Sequence, residues 1–399
     1  MRNALKVGSD FSGVGAFNQA LNRLDVDYEE AFACDMNKYV RRVFIHNYGE
    51  PKYYPEDVYK REIPIESLDI YMTSPPCQAF SLAGKRKGEE DKRGILFYNS
   101  HEFIRENKPR YFIIENVKGL LSDDGGKTFA RWIDYLGGKS VNGNPVIFPH
   151  KDSVPYHVYH KVLNAKNYGV PQNRERVFII GIRDDTDNNF SFPKEIPLTK
   201  RLKDVLEKNV DEKYFLSDKM IKGLKGIDIN DISKTIRVGG RSSKSDKHNW
   251  DLIKVGYINQ DTQAIQVYSD VGIGQTLCAG THGYANGYVQ TFDTPKVKFQ
   301  LTGGKWGKTH DQSGRVYDEN GIAPTIHTMQ GGNQEPKILN DYRIRKLTPR
   351  ECFRLMDFPD SFDFSCVSDS QAYKQAGNSI VVNVLCEVLI KLLKIKKPR

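Results

Sequence analysis

Short apolar runs alternate with amphipathic stretches over the first 182 residues of the chain. Runs at 5–9, 30–33, 68–73, 111–115, 156–163 and 176–182 have the length and composition of strands. Between the first two runs, Ala16, Phe17, Ala20, Leu21 and Leu24 recur at the spacing of one helix face. Strands alternating with helices predict an α/β fold, a doubly wound and mostly parallel sheet, over residues 1–183. Such sheets bind ligands at the carboxyl ends of their strands, so the residues that follow each strand are the first to read for chemistry.

From 184 to 335 the texture changes to Gly, Ser, Asn, Asp and Lys with scattered aromatics, which predicts a smaller, irregular, β-rich second domain. Inside it, residues 267–277 faintly echo 316–326, both opening Val-Tyr and carrying Gly-Ile three residues before Thr. Two copies are too few for a solenoid and read as two similar hairpins. The remaining segment, 336–399, turns helical again. Thr348, Pro349 and Glu351 form a helix start with a capping box. Ile380, Val381, Val384, Leu385, Val388, Leu389, Leu392 and Leu393 form a wide apolar face at period 3.6, which is expected to pack back on the first domain.

A chain of 399 residues with 39% apolar and 27% charged residues is ordinary for a globular protein. No apolar run approaches a membrane span, and the first residues lack a signal-peptide core, so no membrane association is expected. Fifty-nine Lys and Arg against 50 Asp and Glu leave a net charge of +9, compatible with a polyanionic partner. The six cysteines form no C-x-x-C pair, which predicts neither a zinc site nor any other metal, and a reducing cytosol.

Candidate chemistry clusters after the strands. Phe11-Ser12-Gly13-Val14-Gly15 lets a ligand approach the backbone near a helix start, and Asp35, about 20 residues on, is placed to accept from ribose hydroxyls. Asp57 is expected after a third strand. The run Ser74-Pro75-Pro76-Cys77-Gln78-Ala79-Phe80-Ser81 makes a stiff exit that sets a cysteine at the sheet edge. A charged, glycine-punctuated loop with Lys85 and Arg86 follows. Glu115 ends an apolar strand where an acid can serve near neutral pH. Arg174 and Arg176, at i and i+2, are expected to share one face and one anionic or base-edge target.

Taken in order, Pro76-Cys77-Gln78, Glu115-Asn116-Val117, Gln172-x-Arg174-x-Arg176 and Gly377-Asn378-Ser379 resemble the DNA (cytosine-5)-methyltransferases of bacterial restriction–modification systems and phages. The resemblance covers nearly the whole chain outside 184–315. It implies a Rossmann-like fold with a target-recognition domain at 184–335, and S-adenosylmethionine as methyl donor without a metal. Phe11, Gly13, Gly15, Asp35, Met36, Asp57, Pro76, Leu96 and Asn378 would line the donor site. Cys77 would be the nucleophile, Glu115 the acid at N3, and Arg174 and Arg176 would orient Glu115 and the cytosine. Gln78, Ser81, Lys85, Arg86, Arg237 and Arg241 would contact DNA. The resemblance further implies a cytoplasmic monomer acting on double-stranded DNA, with any cognate restriction endonuclease acting separately.

The chemistry accounts for these residue types. C5 of cytosine attacks a methyl sulfonium only after a thiolate adds at C6 while an acid engages N3. The base must first leave the duplex stack. Three positions depart from the family pattern: Asp35 stands for a longer Glu, Ala16 for a third glycine, and Ser9 for an acid, with Asp10 adjacent. An exocyclic-amine methyltransferase would carry an aromatic where Cys77 stands, which excludes that class. An RNA substrate is disfavoured by the long variable region, and a catalytically silent protein by the intact Cys77, Glu115, Arg174 and Arg176.

Overall fold

The computed structural model describes residues 4–75, 96–215, 315–326, 328, 335–338 and 345–397, and the backbone of 254–257, 266–269, 288–290, 297–300, 339–340 and 343–344. The chain divides into two compact units. The first comprises Met1–Val170, Arg174–Leu198 and Met356–Arg399, and the second Pro171–Asn173 and Thr199–Leu355.

The first unit is built on strands β1 (Leu5–Asp10), β2 (Tyr28–Cys34), β3 (Ile70–Thr73), β4 (Tyr111–Val117), β5 (Ser140–Val141), β6 (Asn144–Pro145), β7 (Tyr156–Asn164) and β8 (Glu175–Arg183). They form one sheet in the order β2-β1-β3-β4-β8-β7-β5-β6. Strands β1 to β4 run parallel to one another, while β8 is antiparallel to both β4 and β7. The mostly parallel sheet expected from the apolar alternation is therefore present, with the strand after the Gln-x-Arg-x-Arg run reversed. All six expected strands appear. The small β5–β6 hairpin, turning through Asn142 and Gly143, was not expected.

Helices α1 (Ala16–Arg23), α2 (Lys38–Tyr48), α3 (Leu96–Asn107) and α4 (Lys127–Leu136) flank the sheet. On one face Phe32, Tyr71, Phe97, Phe103, Phe112 and Trp132 pack into an apolar core. Within it, Phe97 stacks on Trp132 at 4.0 Å and Tyr71 on Phe103 at 4.1 Å. At the end of the chain, α6 (Asp369–Asn378) and α7 (Val382–Leu393) follow α5 (Pro349–Leu355). The buried stripe of α7, including Val384, Leu385, Val388 and Leu389, packs against α1, and Cys386 Sγ lies 3.8 Å from Ala20 O. The apolar face begins two residues later than its pattern suggests. Ser379 and Val381 are extended, so Ile380 and Val381 lie before the helix. Counted as one stretch, residues 369–393 are long and apolar enough to cross a membrane, unlike the reading from apolar runs alone. The extended residues at 379–381 divide that stretch, and most of its α7 face is buried within the unit.

The second unit holds a three-stranded sheet, β11-β10-β9 (Tyr288–Gln290, Gln266–Ser269, Lys254–Tyr257), and a four-stranded one, β12-β13-β14-β15 (Val297–Gln300, Arg315–Tyr317, Lys337–Asn340, Arg343–Lys346). The faint sequence echo has a structural counterpart. Both β10 and β13 pair antiparallel with the strand before and parallel with the strand after, in the same register: Tyr268 opposite Val289, Tyr317 opposite Ile338. The capping box at α5 forms as expected: Glu351 N donates to Thr348 Oγ1 at 3.2 Å, and Thr348 N to Glu351 Oε2 at 2.8 Å. The same carboxylate takes two 2.8 Å bonds from the buried Arg345 guanidinium.

Candidate active site

The turn that follows β1 is built from left-handed residues: Phe11 at φ 54°, Gly13 at 57° and Gly15 at 82°. Glycine is required at 15, because a Cβ there would lie 2.2 Å from the Tyr48 ring. At Gly13 a Cβ would meet only Phe11 O, at 3.9 Å, so that side of the turn is open to close approach. Ser12 N donates to Cys34 O at 3.0 Å, and Gly13 N to Asp35 Oδ2 at 3.0 Å. The other oxygen of Asp35 accepts from Asn37 N at 2.8 Å. One carboxylate thus ties the turn after β1 to the turn after β2. Burial pushes the Asp35 carboxyl up, against the opposite pull of the two backbone N–H groups. Its neighbour Met36 projects outward, 84% exposed.

Asp57 does not follow a strand. Residues 51–69 form no strand; the third strand of the chain is β3. Instead the segment runs beside the end of β2, with Ala33 N donating to Tyr53 O at 3.2 Å and Asp35 N to Pro55 O at 3.3 Å. Its proline and polar side chains favour such a ladder fragment over a full strand. Half-buried Asp57 closes a local turn by accepting from Tyr59 N at 3.0 Å.

Beneath the turn lies a contact that the sequence reading missed. Asp10, the last residue of β1, takes hydrogen bonds from Arg61 Nε at 2.9 and 3.1 Å and from Tyr71 Oη at 2.6 Å. Arg61 and Asp10 are almost wholly buried. Desolvation raises the Asp10 carboxyl's pKa, while Arg61 and Tyr71 oppose the shift.

At the ends of β3 and β4, Glu115 is buried and held from two sides. Ser74 Oγ donates to Oε2 at 3.2 Å, and Arg176 Nε lies 3.1 Å from Oε1. The antiparallel pairing of β8 with β4, with Val117 opposite Arg176, brings that guanidinium to the carboxylate. Asn116 Nδ2 donates to Pro75 O at 3.3 Å, so the chain leaving β3 toward position 76 is anchored beside Glu115. The Ser74 hydroxyl, to which its motif assigns no role, is the second holder of the acid.

Among the described residues the two arginines have different partners. Arg174, also buried, donates through Nη2 to Gly377 O at 3.0 Å and Ser379 O at 2.8 Å, at the carboxyl end of α6. A cation there meets the unpaired carbonyls and the negative end of the helix. Exposed Asn378 is held between those two carbonyls. Arg174 lies just before β8 begins at Glu175, while Arg176 is within it, so the alternation of a regular strand does not govern the pair.

Leu96 opens α3 and is partly buried. Pro76, Cys77, Gln78, Ser81, Lys85, Arg86, Arg237 and Arg241 lie outside the described residues. Of the four described cysteines, Cys34, Cys352 and Cys386 are buried. Burial pushes the Cys34 thiol up to about 12 and Cys386 to about 11, and it raises Cys352 and Cys366 as well. None of these four is a ready thiolate near neutral pH. Among the described residues no group of His, Cys, Asp and Glu is arranged to hold a metal ion.

A family model described as C-5 cytosine-specific DNA methylase matches residues 5–394. The orphan methyltransferase M.SPRI of Bacillus phage SPR is 32% identical, over 98% of this chain and 97% of that protein. The type II methyltransferase M.HhaI of Haemophilus parahaemolyticus is 33% identical, over 94% and 90%. Among solved structures, the Dnmt2 methyltransferase of S. pombe has a TM-score of 0.59 at 15% identity, covering 98% of each chain, a likeness of fold.

Proposed function

Because this chain belongs to the family of C-5 cytosine-specific DNA methylases, we propose that it moves a methyl group from S-adenosylmethionine to C5 of a cytosine flipped out of duplex DNA. The observation that carries the mechanistic reading is Glu115, buried at the strand ends beside the anchored exit to Pro76-Cys77-Gln78 and gripped by Arg176 and Ser74. An acid so held can meet N3 of an inserted base without reorganising as the reaction proceeds.

The residues present fit the donor. Gly13 leaves its side of the turn open, Asp35 keeps spare lone pairs for ribose hydroxyls, and the apolar Met36 stands exposed next to it. Arg61 Nη1 and Asn99 Oδ1, both buried, have no hydrogen-bond partner among the described residues. Phe11, Gly13, Gly15, Asp35, Met36, Asp57, Pro76, Leu96 and Asn378 would hold the donor, which supplies an electrophilic methyl group when bound.

The chain's own residues do the rest. The Cys77 thiolate adds to C6 while Glu115 donates to N3, and the ring becomes an enamine nucleophilic at C5. After the methyl group arrives, a base removes the C5 proton, the C6–sulfur bond breaks to return the thiolate, and N3 gives its proton back to Glu115. Burial raises the thiol pKa values of the four described cysteines, which leaves Cys77 and Cys278, and of these Cys77 stands in the Pro-Cys-Gln motif. Its neighbours Gln78, Ser81, Lys85 and Arg86, together with Arg237 and Arg241, would engage the DNA, whose phosphates favour cations.

The decisive experiment incubates the full chain, S-adenosylmethionine and a duplex of its target sequence carrying 5-fluorocytosine. Fluorine at C5 blocks the final elimination, so a covalent adduct mapped to Cys77 is expected. Methylation of ordinary cytosine with no adduct at Cys77 would overturn the mechanism.

A further inference from the structure

The turn that begins with Phe11 is strained: a non-glycine residue at φ 54° costs on the order of 1 kcal/mol and persists only where its surroundings hold it. Downstream it is held by Ser12 N on Cys34 O and Gly13 N on Asp35. Upstream it follows directly on Asp10, clamped by Arg61 and Tyr71. A buried ion pair is a poor stabiliser, since apolar groups of similar volume do as well or better, so its presence points to a need for fixed geometry. Arg61 is rigidly placed as well: its guanidinium lies 4.5 Å from the centre of the Phe103 ring, which Tyr71 stacks from 4.1 Å. Four residues before Arg61 stands Asp57; the intervening chain is turned by Lys60 N donating to Asp57 O at 3.0 Å, and the segment around both is closed by Glu62 N donating to Tyr53 Oη at 2.8 Å.

We propose that the Asp10–Arg61 pair is a positioning device for the methyl-donor site, fixing the strained turn at 11–15 and the segment carrying Asp57 in one register. This rests on the donor site as assigned above. The acid at position 10, one residue later than the family pattern expects, is then matched by an arginine delivered from outside the sheet rather than lost.

The test is made on the full chain with S-adenosylhomocysteine as probe, read by calorimetry, and with amide hydrogen exchange of the ligand-free protein. The double variant Asp10→Asn/Arg61→Met removes both charges at once, so no lone ion is stranded. It is expected to keep its thermal midpoint near that of the parent while binding the probe about tenfold more weakly, the scale on which losing an outer supporting contact weakens other preorganised sites. Amides 12, 13 and 15 should exchange faster in it. Arg61→Lys, which keeps the charge and the fold, should fall between the two. Unchanged affinity and exchange in the double variant overturn the proposal; should that variant not fold, unchanged values in Arg61→Lys do so. If the parent chain itself does not bind the probe, the donor-site assignment fails instead.

Discussion

Arg174 and Ser379, 205 residues apart in the chain, meet through a 2.8 Å hydrogen bond from the guanidinium to the backbone carbonyl. With the companion bond to Gly377 O it locks the link between α6 and α7, and hence Asn378. On the proposed function, Arg174 would act on the donor side of the site, while Arg176, two residues on, would act on the acid. Arg174→Met should weaken S-adenosylhomocysteine binding and lower the unfolding free energy by about 2 kcal/mol, because two buried carbonyls lose their donor. DNA affinity should stay unchanged. Equilibrium binding of both ligands and a denaturant melt check this; a variant weakened toward DNA alone contradicts it.

Glu115→Gln keeps the shape and the Ser74 contact but removes the acid and the charge facing Arg176. The rate of methyl transfer at saturating substrates should fall by about 10²-fold or more, the usual worth of a positioned general acid. Duplex affinity should change little. Single-turnover kinetics separate the two, and a defect confined to binding would remove Glu115 from the chemistry.

The two glycines of the first turn should fail differently. Gly15→Ala drives a methyl group into the Tyr48 ring, which is pinned by its hydroxyl on Gln19 Oε1 at 3.1 Å and packed edge-on to Phe44. With the positive φ added, a stability loss of about 2–4 kcal/mol is expected. Gly13→Ala meets open space, so its cost in stability should be smaller and its main effect should be lost donor affinity. Urea midpoints and calorimetry on both variants test the contrast.

Local pattern was legible where local physics decides. The six strands, α1 and the Thr348–Glu351 capping box all follow from periodicity or capping chemistry within a few residues. The β5–β6 hairpin also carried its signal, Asn142-Gly143, with both residues at positive φ, but two-residue strands leave no alternation to read. What stayed hidden depends on long-range pairing. Asp10 and Arg61 are 51 residues apart, and an acid closing an apolar strand gives no hint of which cation will reach it. The split of Arg174 from Arg176 is of the same kind: the i, i+2 rule assumes a regular pleat, and Arg174 lies just before β8 begins at Glu175. No apolar alternation precedes Asp57, and only a ladder fragment forms there in place of the expected third strand.

Glu30 gives a pH-dependent prediction away from the chemistry. It sits in β2, where Asn18 Nδ2 donates to Oε2 at 3.1 Å and Oε1 is buried with no partner among the described residues. Burial pushes its carboxyl up to about 7. The folded value thus lies above the unfolded one of roughly 4.3, so the folded protein holds this proton more tightly. The resulting stability is fully present below about pH 4.3 and is lost as the pH rises through 7. Glu30→Gln keeps an acceptor for Asn18 and cannot ionise. Its stability should match the parent near pH 4 and exceed it by up to about 4 kcal/mol near pH 8.5, since each pKa unit is worth about 1.4 kcal/mol. Thermal melts of both proteins across that range decide the matter: parallel curves would mean that Glu30 does not titrate with folding.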